Sequence, residues 1–108
     1  MQLYQGDVAI IAISEDKLPK DLQFKLLPKV GQIVAYGETT GHTHTVVAER
    51  EAIVEMAQDQ FGYYFKVKQG QVVMNHQMHK SQVLTPQIWF VANQFEYDEI
   101  QELRRVQD

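Results

Sequence analysis

The alternation of apolar and polar residues along the chain predicts a succession of short β-strands. The longest unbroken apolar run, Val8 to Ile13, is typical of a strand buried on both faces. Elsewhere, β-branched and aromatic residues stand between glycine or proline breaks, which is a strand signature. The main predicted strands are DVAIIAI (7–13), QIVAYG (32–37), THTVVAE (43–49), YYFKVK (63–68), QVVMN (71–75) and QIWFVANQF (87–95).

For two segments, the sequence pattern alone does not decide whether a helix forms. EAIVEM (51–56) could begin a helix by itself, but the turn residues and the alternating run that follow it favour a strand. In the C-terminal tail, Ile100, Leu103 and Val106 lie three apart, which predicts a short helix or an irregular packed segment. We predict a mainly β single domain over residues 1–108, a small barrel or sandwich. Its core is expected from DVAIIAI, QIVAYG, YYFKVK and QIWFVA.

Composition and charge exclude several classes of protein. With 44% hydrophobic and 22% charged residues in 108, the chain is typical of one globular domain. Cysteine is absent, which rules out disulfides and cysteine-based zinc sites and makes the cytoplasm the expected location. No apolar run approaches the ~20 residues of a membrane span, so no membrane association is expected. The net charge of −4, without a basic cluster, predicts no general nucleic-acid binding.

The four histidines form two close pairs, and none lies elsewhere. His42 and His44 alternate along a predicted strand, so both side chains point to one face, about 6.5–7 Å apart. His76 and His79 are three apart and act together only if HQMH forms a turn. Four imidazoles meeting at one place predict a divalent metal ion, either zinc, iron, manganese or nickel, and copper also accepts such ligands.

Other interpretations of these residues stay open. The histidines could be unrelated polar residues, or a metal-free cluster that responds to pH. Glu38 is the candidate general base if a metal site has an open position. Glu49 would face away from His42 and His44 on a regular strand. The loop GETTG (37–41) could hold a small anion, although it lacks the lysine and following helix of a phosphate loop.

The segment around the first histidine pair resembles the first motif of the cupins. Gly37, His42, His44 and Glu49 follow the order of that motif, although the gap after Gly37 is four residues rather than five. The second cupin motif is not met around the other pair. The resemblance implies a β-barrel in which His42, His44 and Glu49 are metal ligands and His76 or His79 completes the set.

A broader resemblance is to a small, uncharacterised family of bacterial and phage-encoded proteins. It is carried by QGDV (5–8), YGETTGHTH (36–44), HQMH (76–79) and EYD (96–98), which together span nearly the whole chain. This family implies no particular activity. The resemblance therefore supports a site at the histidines and leaves the reaction open.

The sequence is compatible with three functional hypotheses. The first is a small β metalloprotein, in which catalysis stays an open question. The second is a non-catalytic bacterial or phage accessory or interaction module, whose histidines are structural or bind a small anionic ligand. The third is a sensor of a small anion or nucleotide at GETTG. The partner is an unidentified small molecule or protein, and an exposed edge strand would favour a homodimer.

Overall fold

A computed structural model describes residues 2–37, 41–49 and 51–93, and β-strands are the main regular structure in these ranges. A single 3-10 turn covers Glu15–Lys17. The strands are β1 (Gln2–Gln5), β2 (Val8–Ile13), β3 (Lys25–Leu26), β4 (Gln32–Tyr36), β5 (Thr43–Ala48), β6 (Ile53–Asp59), β7 (Gly62–Gln69), β8 (Val72–Asn75), β9 (Gln82–Leu84) and β10 (Ile88–Asn93).

The strands form two antiparallel sheets. The larger has six strands in the order β1-β2-β10-β7-β6-β3, and the smaller has four in the order β4-β5-β8-β9. Because the two sheets remain separate, the fold is a sandwich rather than a closed barrel. The prediction of a mainly β fold is therefore confirmed, and the sandwich is the correct one of its two forms.

The core lies between the two sheets and consists of alternate residues along their strands. Such alternation follows from the two-residue period of a strand, which sends every second side chain to the same face. The largest fully buried side chains in this layer are Trp89, Phe65, Ile10, Met74 and Leu84. The rest of the cluster comprises Val8, Val46, Val54, Met56, Val67, Val72 and Val91.

A second, smaller apolar cluster covers the outer face of the six-stranded sheet. Tyr64, Phe90 and Ala92 are buried there. The segment between β2 and β3 and the turn after β6 pack partly buried residues against them: Ile13, Leu18, Leu22, Phe24 and Phe61. Strands β7 and β10 therefore carry buried residues on both faces, which explains the continuous apolar run IWFVA of β10.

Several expectations need correction or completion. QIVAYG was expected in the core, but β4 is an edge strand of the smaller sheet, and only its half-buried Val34 and Ala35 pack against the core. Strand β1 was not predicted, and EAIVEM belongs to strand β6. No α-helix occurs in the described ranges, and none of their residues forms a helix that could span a membrane. The predicted C-terminal helix or irregular tail lies in residues 94–108, outside the described residues.

At one end of the sandwich, the inward-facing rows of the core change from apolar to polar residues. On β5 the row of Val46 continues to His44, and on β8 the row of Val72 and Met74 leads to His76. Three other strands show the same change: Leu3 is followed by Gln5 on β1, Val8 is preceded by Gly6 before β2, and Val91 is followed by Asn93 on β10. The open end of the core is therefore lined by polar groups and glycine.

The sandwich predicts a large difference in stability between two leucine truncations. Leu84 on β9 is fully buried in the core, whereas Leu26 on β3 is 71% exposed. We expect Leu84→Ala to lower the free energy of unfolding by about 2–5 kcal/mol because it leaves a cavity between the sheets. Leu26→Ala, the matched control, should change it by about 0.5 kcal/mol or less. Urea denaturation measures both, and equal losses would contradict the packing of β9 against the core.

Candidate functional site

The pairing of β5 with β8 brings one histidine from each pair together. These strands run antiparallel with Thr45 opposite Asn75, so the next position on each strand places His44 opposite His76. Both side chains continue inward-facing rows and therefore share a face. Their ring centroids lie 4.3 Å apart, with 37° between the ring planes.

The remaining two imidazoles lie around this central pair. The His42 ring meets His76 edge-on, with 5.6 Å between centroids. The His79 ring lies 4.6 Å from that of His76 and 6.1 Å from that of His44. The two pairs that the sequence singled out thus form one cluster of four rings, which we call the histidine cluster.

The second pair reaches the cluster because HQMH is a bend and not part of a strand. Residues 77–79 bend directly after β8. The Thr43 backbone N–H donates to Oε1 of Gln77 at 3.0 Å, which ties this bend to the start of β5. The Met78 backbone N–H donates to Nδ1 of His76 at 3.0 Å. His76 and His79 can therefore face one cavity in spite of their odd spacing, as the turn interpretation requires.

Two glycines allow the backbone to approach the imidazoles closely. Gly6 has a φ of +57°, and a Cβ at this position would lie 2.7 Å from Nε2 of His79. A Cβ at Gly37 would lie 2.8 Å from Nε2 of His76. The Gly37 N–H also donates to the His42 carbonyl at 2.9 Å, which closes the loop that leads into β5. Any larger residue at either position would displace an imidazole.

The histidine cluster lines a cavity of about 380 Å³ at the polar end of the core. Asp7 supplies a carboxylate at its wall, while Tyr36 and Met78, 79% and 72% exposed, stand at its solvent side. The complete lining consists of Gly6, Asp7, Val8, Ala35, Tyr36, Gly37, His42, His44, His76, Met78, His79 and Asn93. A small ligand or a metal ion with further ligands would fit this volume.

The two glutamates considered from the sequence have different outcomes. Glu49 does not line the cavity, and its Oε2 accepts a hydrogen bond from Nε2 of Gln71 at 2.8 Å. The structure therefore does not bring together the cupin-like set of His42, His44 and Glu49. Glu38 lies outside the described residues, so its role as a general base stays a prediction.

Burial and mutual proximity favour the neutral form of the central histidines. His44 is only 4% exposed, and this desolvation, reinforced by the nearby His76 and His79, lowers its pKa to about 4. The Asp7 carboxylate opposes this shift. Desolvation also lowers the pKa of His76, with further contributions from His79 and His42. At neutral pH both rings are uncharged, which is the protonation state that metal binding requires.

The imidazole nitrogens do not yet converge on one ion-sized position. Within residues 2–37, 41–49 and 51–93, no group of three or more His, Asp or Glu side chains is arranged to hold a metal ion as it stands. His76 provides one physical reason. Its Nδ1 accepts the Met78 N–H, so the proton of the neutral ring sits on Nε2 and leaves no free lone pair. Metal binding by His76 therefore requires that this hydrogen bond be released.

The sequence interpretation missed the contribution of the end of β1 and of the turn that follows it. Oε1 of Gln5 lies 2.9 Å from Nδ1 of the buried His44, Gly6 contacts His79, and Asp7 lines the cavity. QGDV was noted only as part of a resemblance, and no role was assigned to these residues. Their importance depends on a long-range contact between positions 39 residues apart, which no local pattern reveals.

Comparison with known proteins identified one family model that covers most of the chain. A model described as a domain of unknown function, DUF8820, matches residues 4–94. The match includes the turn between β1 and β2 and both histidine pairs. Searches of curated proteins and of solved structures found no significant match.

The low pKa of His44 predicts that acid weakens the metal-free fold. The unfolded chain binds this proton near pH 6.5, whereas the folded chain binds it only near pH 4. Between these values the unfolded state holds more protons, so the contribution of His44 to the free energy of unfolding falls as the pH falls through this window and is constant above it. The loss from His44 should be on the order of 1–3 kcal/mol.

This dependence can be measured by urea denaturation at pH 7 and pH 4 in the presence of a chelator. In His44→Asn the amide nitrogen replaces Nδ1 as a donor to Gln5 but does not titrate, so this variant is the control. The control should lose less stability on acidification than the wild type. An identical pH dependence of the two proteins would contradict the assignment of the depressed pKa to His44.

Proposed function

The chain belongs to the DUF8820 family of domains of unknown function, and for this member we propose a metal-binding function. His42, His44, His76 and His79 hold one divalent transition-metal ion in the cavity. The observation that carries the proposal is the meeting of four imidazoles from two separate strand ends around a single cavity. Unrelated surface histidines would not converge in this way.

The spacing of the rings supports coordination of one ion. With metal–nitrogen distances of about 2.0–2.1 Å, imidazoles at tetrahedral angles have ring centroids roughly 5 Å apart. The observed separations of 4.3, 4.6, 5.6 and 6.1 Å lie on both sides of this value. We therefore expect side-chain rotations, with little movement of the strands, to bring the nitrogens together on metal binding.

The chemistry of the donors limits which metal fits. Neutral imidazoles suit zinc, nickel and iron(II), as well as copper, and do not attract magnesium or calcium, which prefer oxygen ligands. Manganese also prefers oxygen, so among the candidate ions it fits this donor set least well. Asp7 adds a negative charge at the wall of the cavity, which favours a cation there. We expect zinc to bind and use it as the test ion.

Further proposals concern catalysis at the site, an alternative function, and the location and assembly of the protein. If the site is catalytic, we propose Glu38 as the general base, because it directly follows Tyr36 and Gly37 in the sequence and both of these residues line the cavity. The alternative function is a non-catalytic interaction module or a site for a small anionic ligand. We expect a bacterial or phage cytoplasmic protein, and a homodimer through β4, an edge strand whose Ile33 and Tyr36 are exposed.

The metal proposal is tested by zinc titration of untagged, chelator-treated protein. We expect one ion per chain by calorimetry and elemental analysis. Binding only to the folded state should raise the free energy of unfolding by about 2.7 kcal/mol when free zinc is 100 times its Kd. Each of the four single His→Ala variants should weaken binding more than about 10-fold, since even the loss of an outer-shell partner costs about that much.

Gln60→Ala, in the exposed turn after β6, is the control and should bind zinc like the wild type. Tightly bound zinc in the wild type, lost in all four histidine variants and kept in this control, supports a shared site. A wild-type protein that binds no zinc, nickel, iron(II) or copper would remove the proposal. Binding that survives every histidine substitution would remove it as well.

Coordination by His76 predicts a local change at the Met78 amide. His76 can bind the ion through Nδ1 only if the Met78 N–H leaves that nitrogen. It can bind through Nε2 only if the ring proton moves to Nδ1, which also breaks the hydrogen bond from Met78. On zinc binding, the Met78 amide resonance should shift and its hydrogen exchange should become faster. The Phe61 amide, which donates to the Asp59 side chain at 2.9 Å and not to a histidine, is the matched control. An unchanged Met78 amide in the zinc-bound protein would exclude His76 as a ligand.

A further inference from the structure

The last residue of strand β1, Gln5, contacts His44 and both ends of the segment that carries His76 and His79. We propose that Gln5 is the positioning residue of the site. Its side chain determines which nitrogen of His44 faces the cavity, and it holds both ends of the segment that carries His76 and His79. Its effect on metal affinity rests on the proposed function, whereas its effect on His44 does not.

The orientation of the Gln5 amide follows from its two backbone partners. Gln5 is 1% exposed, and its Nε2 donates to the Met74 carbonyl at 2.8 Å and to the Lys80 carbonyl at 2.9 Å. Carbonyl oxygens only accept hydrogen bonds, so the amide nitrogen must face them. The Gln5 oxygen therefore faces Nδ1 of His44, 2.9 Å away.

This orientation fixes the tautomer of His44. An amide oxygen is only an acceptor, so Nδ1 of His44 must carry the proton and donate it to Gln5. In the neutral ring, the lone pair then resides on Nε2. Histidines that bind metals commonly donate their other ring N–H to such an oxygen, which orients the ring and raises its basicity as a ligand. His44 is thus prepared for coordination, in contrast to His76.

The same side chain also holds the segment that carries the second histidine pair. Met74 lies on β8 just before His76, and Lys80 directly follows His79. By bonding both carbonyls, Gln5 closes residues 74–80 into a loop of fixed width. One buried amide therefore joins His44 on β5 to both ends of the His76–His79 segment, and all of its hydrogen-bonding groups are used on these partners.

The test compares two glutamine substitutions of the same kind. Gln5→Met keeps the length of the side chain and removes its hydrogen bonds. Gln82→Met is the control, because Gln82 Nε2 also donates to a backbone carbonyl, that of Tyr4 at 3.1 Å, but it does not contact a histidine. Nitrogen-15 spectra of the imidazoles report the tautomer of His44 in metal-free protein, and competition with a chromophoric chelator gives the zinc affinity.

We expect the wild type and Gln82→Met to show His44 with a proton on Nδ1 and a lone pair on Nε2. Gln5→Met should show a mixture of both tautomers and bind zinc about 10–100-fold more weakly. A purely structural role of Gln5 would lower stability without changing the tautomer. A third variant, Gln5→Glu, keeps an acceptor for His44 and should retain the tautomer while it loosens residues 74–80.

The wild-type spectrum is decisive even if Gln5→Met does not fold. A His44 ring that carries its proton on Nε2 in the wild type would overturn the proposal. So would a folded Gln5→Met protein with the wild-type tautomer and zinc affinity. If the wild type binds no metal, the proposed function fails, and the tautomer measured in the metal-free protein still decides whether Gln5 positions His44.

Discussion

The site depends on the buried amide of Gln5, which has three partners and no contact with water to replace them. Its oxygen accepts from His44, and its nitrogen donates to the Met74 and Lys80 carbonyls. A buried polar group that loses its partner costs about 1–3 kcal/mol, so these bonds strongly favour one arrangement. These hydrogen bonds therefore hold together strand β1, the start of β5 and the bend after β8.

The sandwich makes this meeting possible because its core ends in polar residues on several strands at once. Apolar rows on β1, β5 and β8 lead to Gln5, His44 and His76 at the same edge of the core. Burial there lowers the pKa of His44 and favours its neutral ring. In the proposed metal site, these neutral nitrogens would be the ligands, and the Asp7 carboxylate would add a favourable charge.

Local patterns in the sequence were enough to predict the longer strands and the two histidine pairs, but not the short strand β1. Alternation identified β5 and β7, and the spacing of His42 and His44 placed both on one face. Local patterns could not predict long-range contacts, which join residues distant in the chain. Two such contacts build the site: the register that sets His44 opposite His76, and the hydrogen bond between Gln5 and His44. The share of β4 in the core was overestimated, because composition does not distinguish an edge strand from a central one.

X-ray absorption spectroscopy of the zinc-loaded protein tests the central claim most directly, because it counts and identifies the atoms around the ion. A site made by the histidine cluster predicts a first shell dominated by three or four imidazole nitrogens at about 2.0–2.1 Å, with the outer-shell scattering of imidazole rings. A first shell of oxygen atoms alone, or one imidazole among waters, would contradict a shared histidine site and leave zinc as a surface-bound ion.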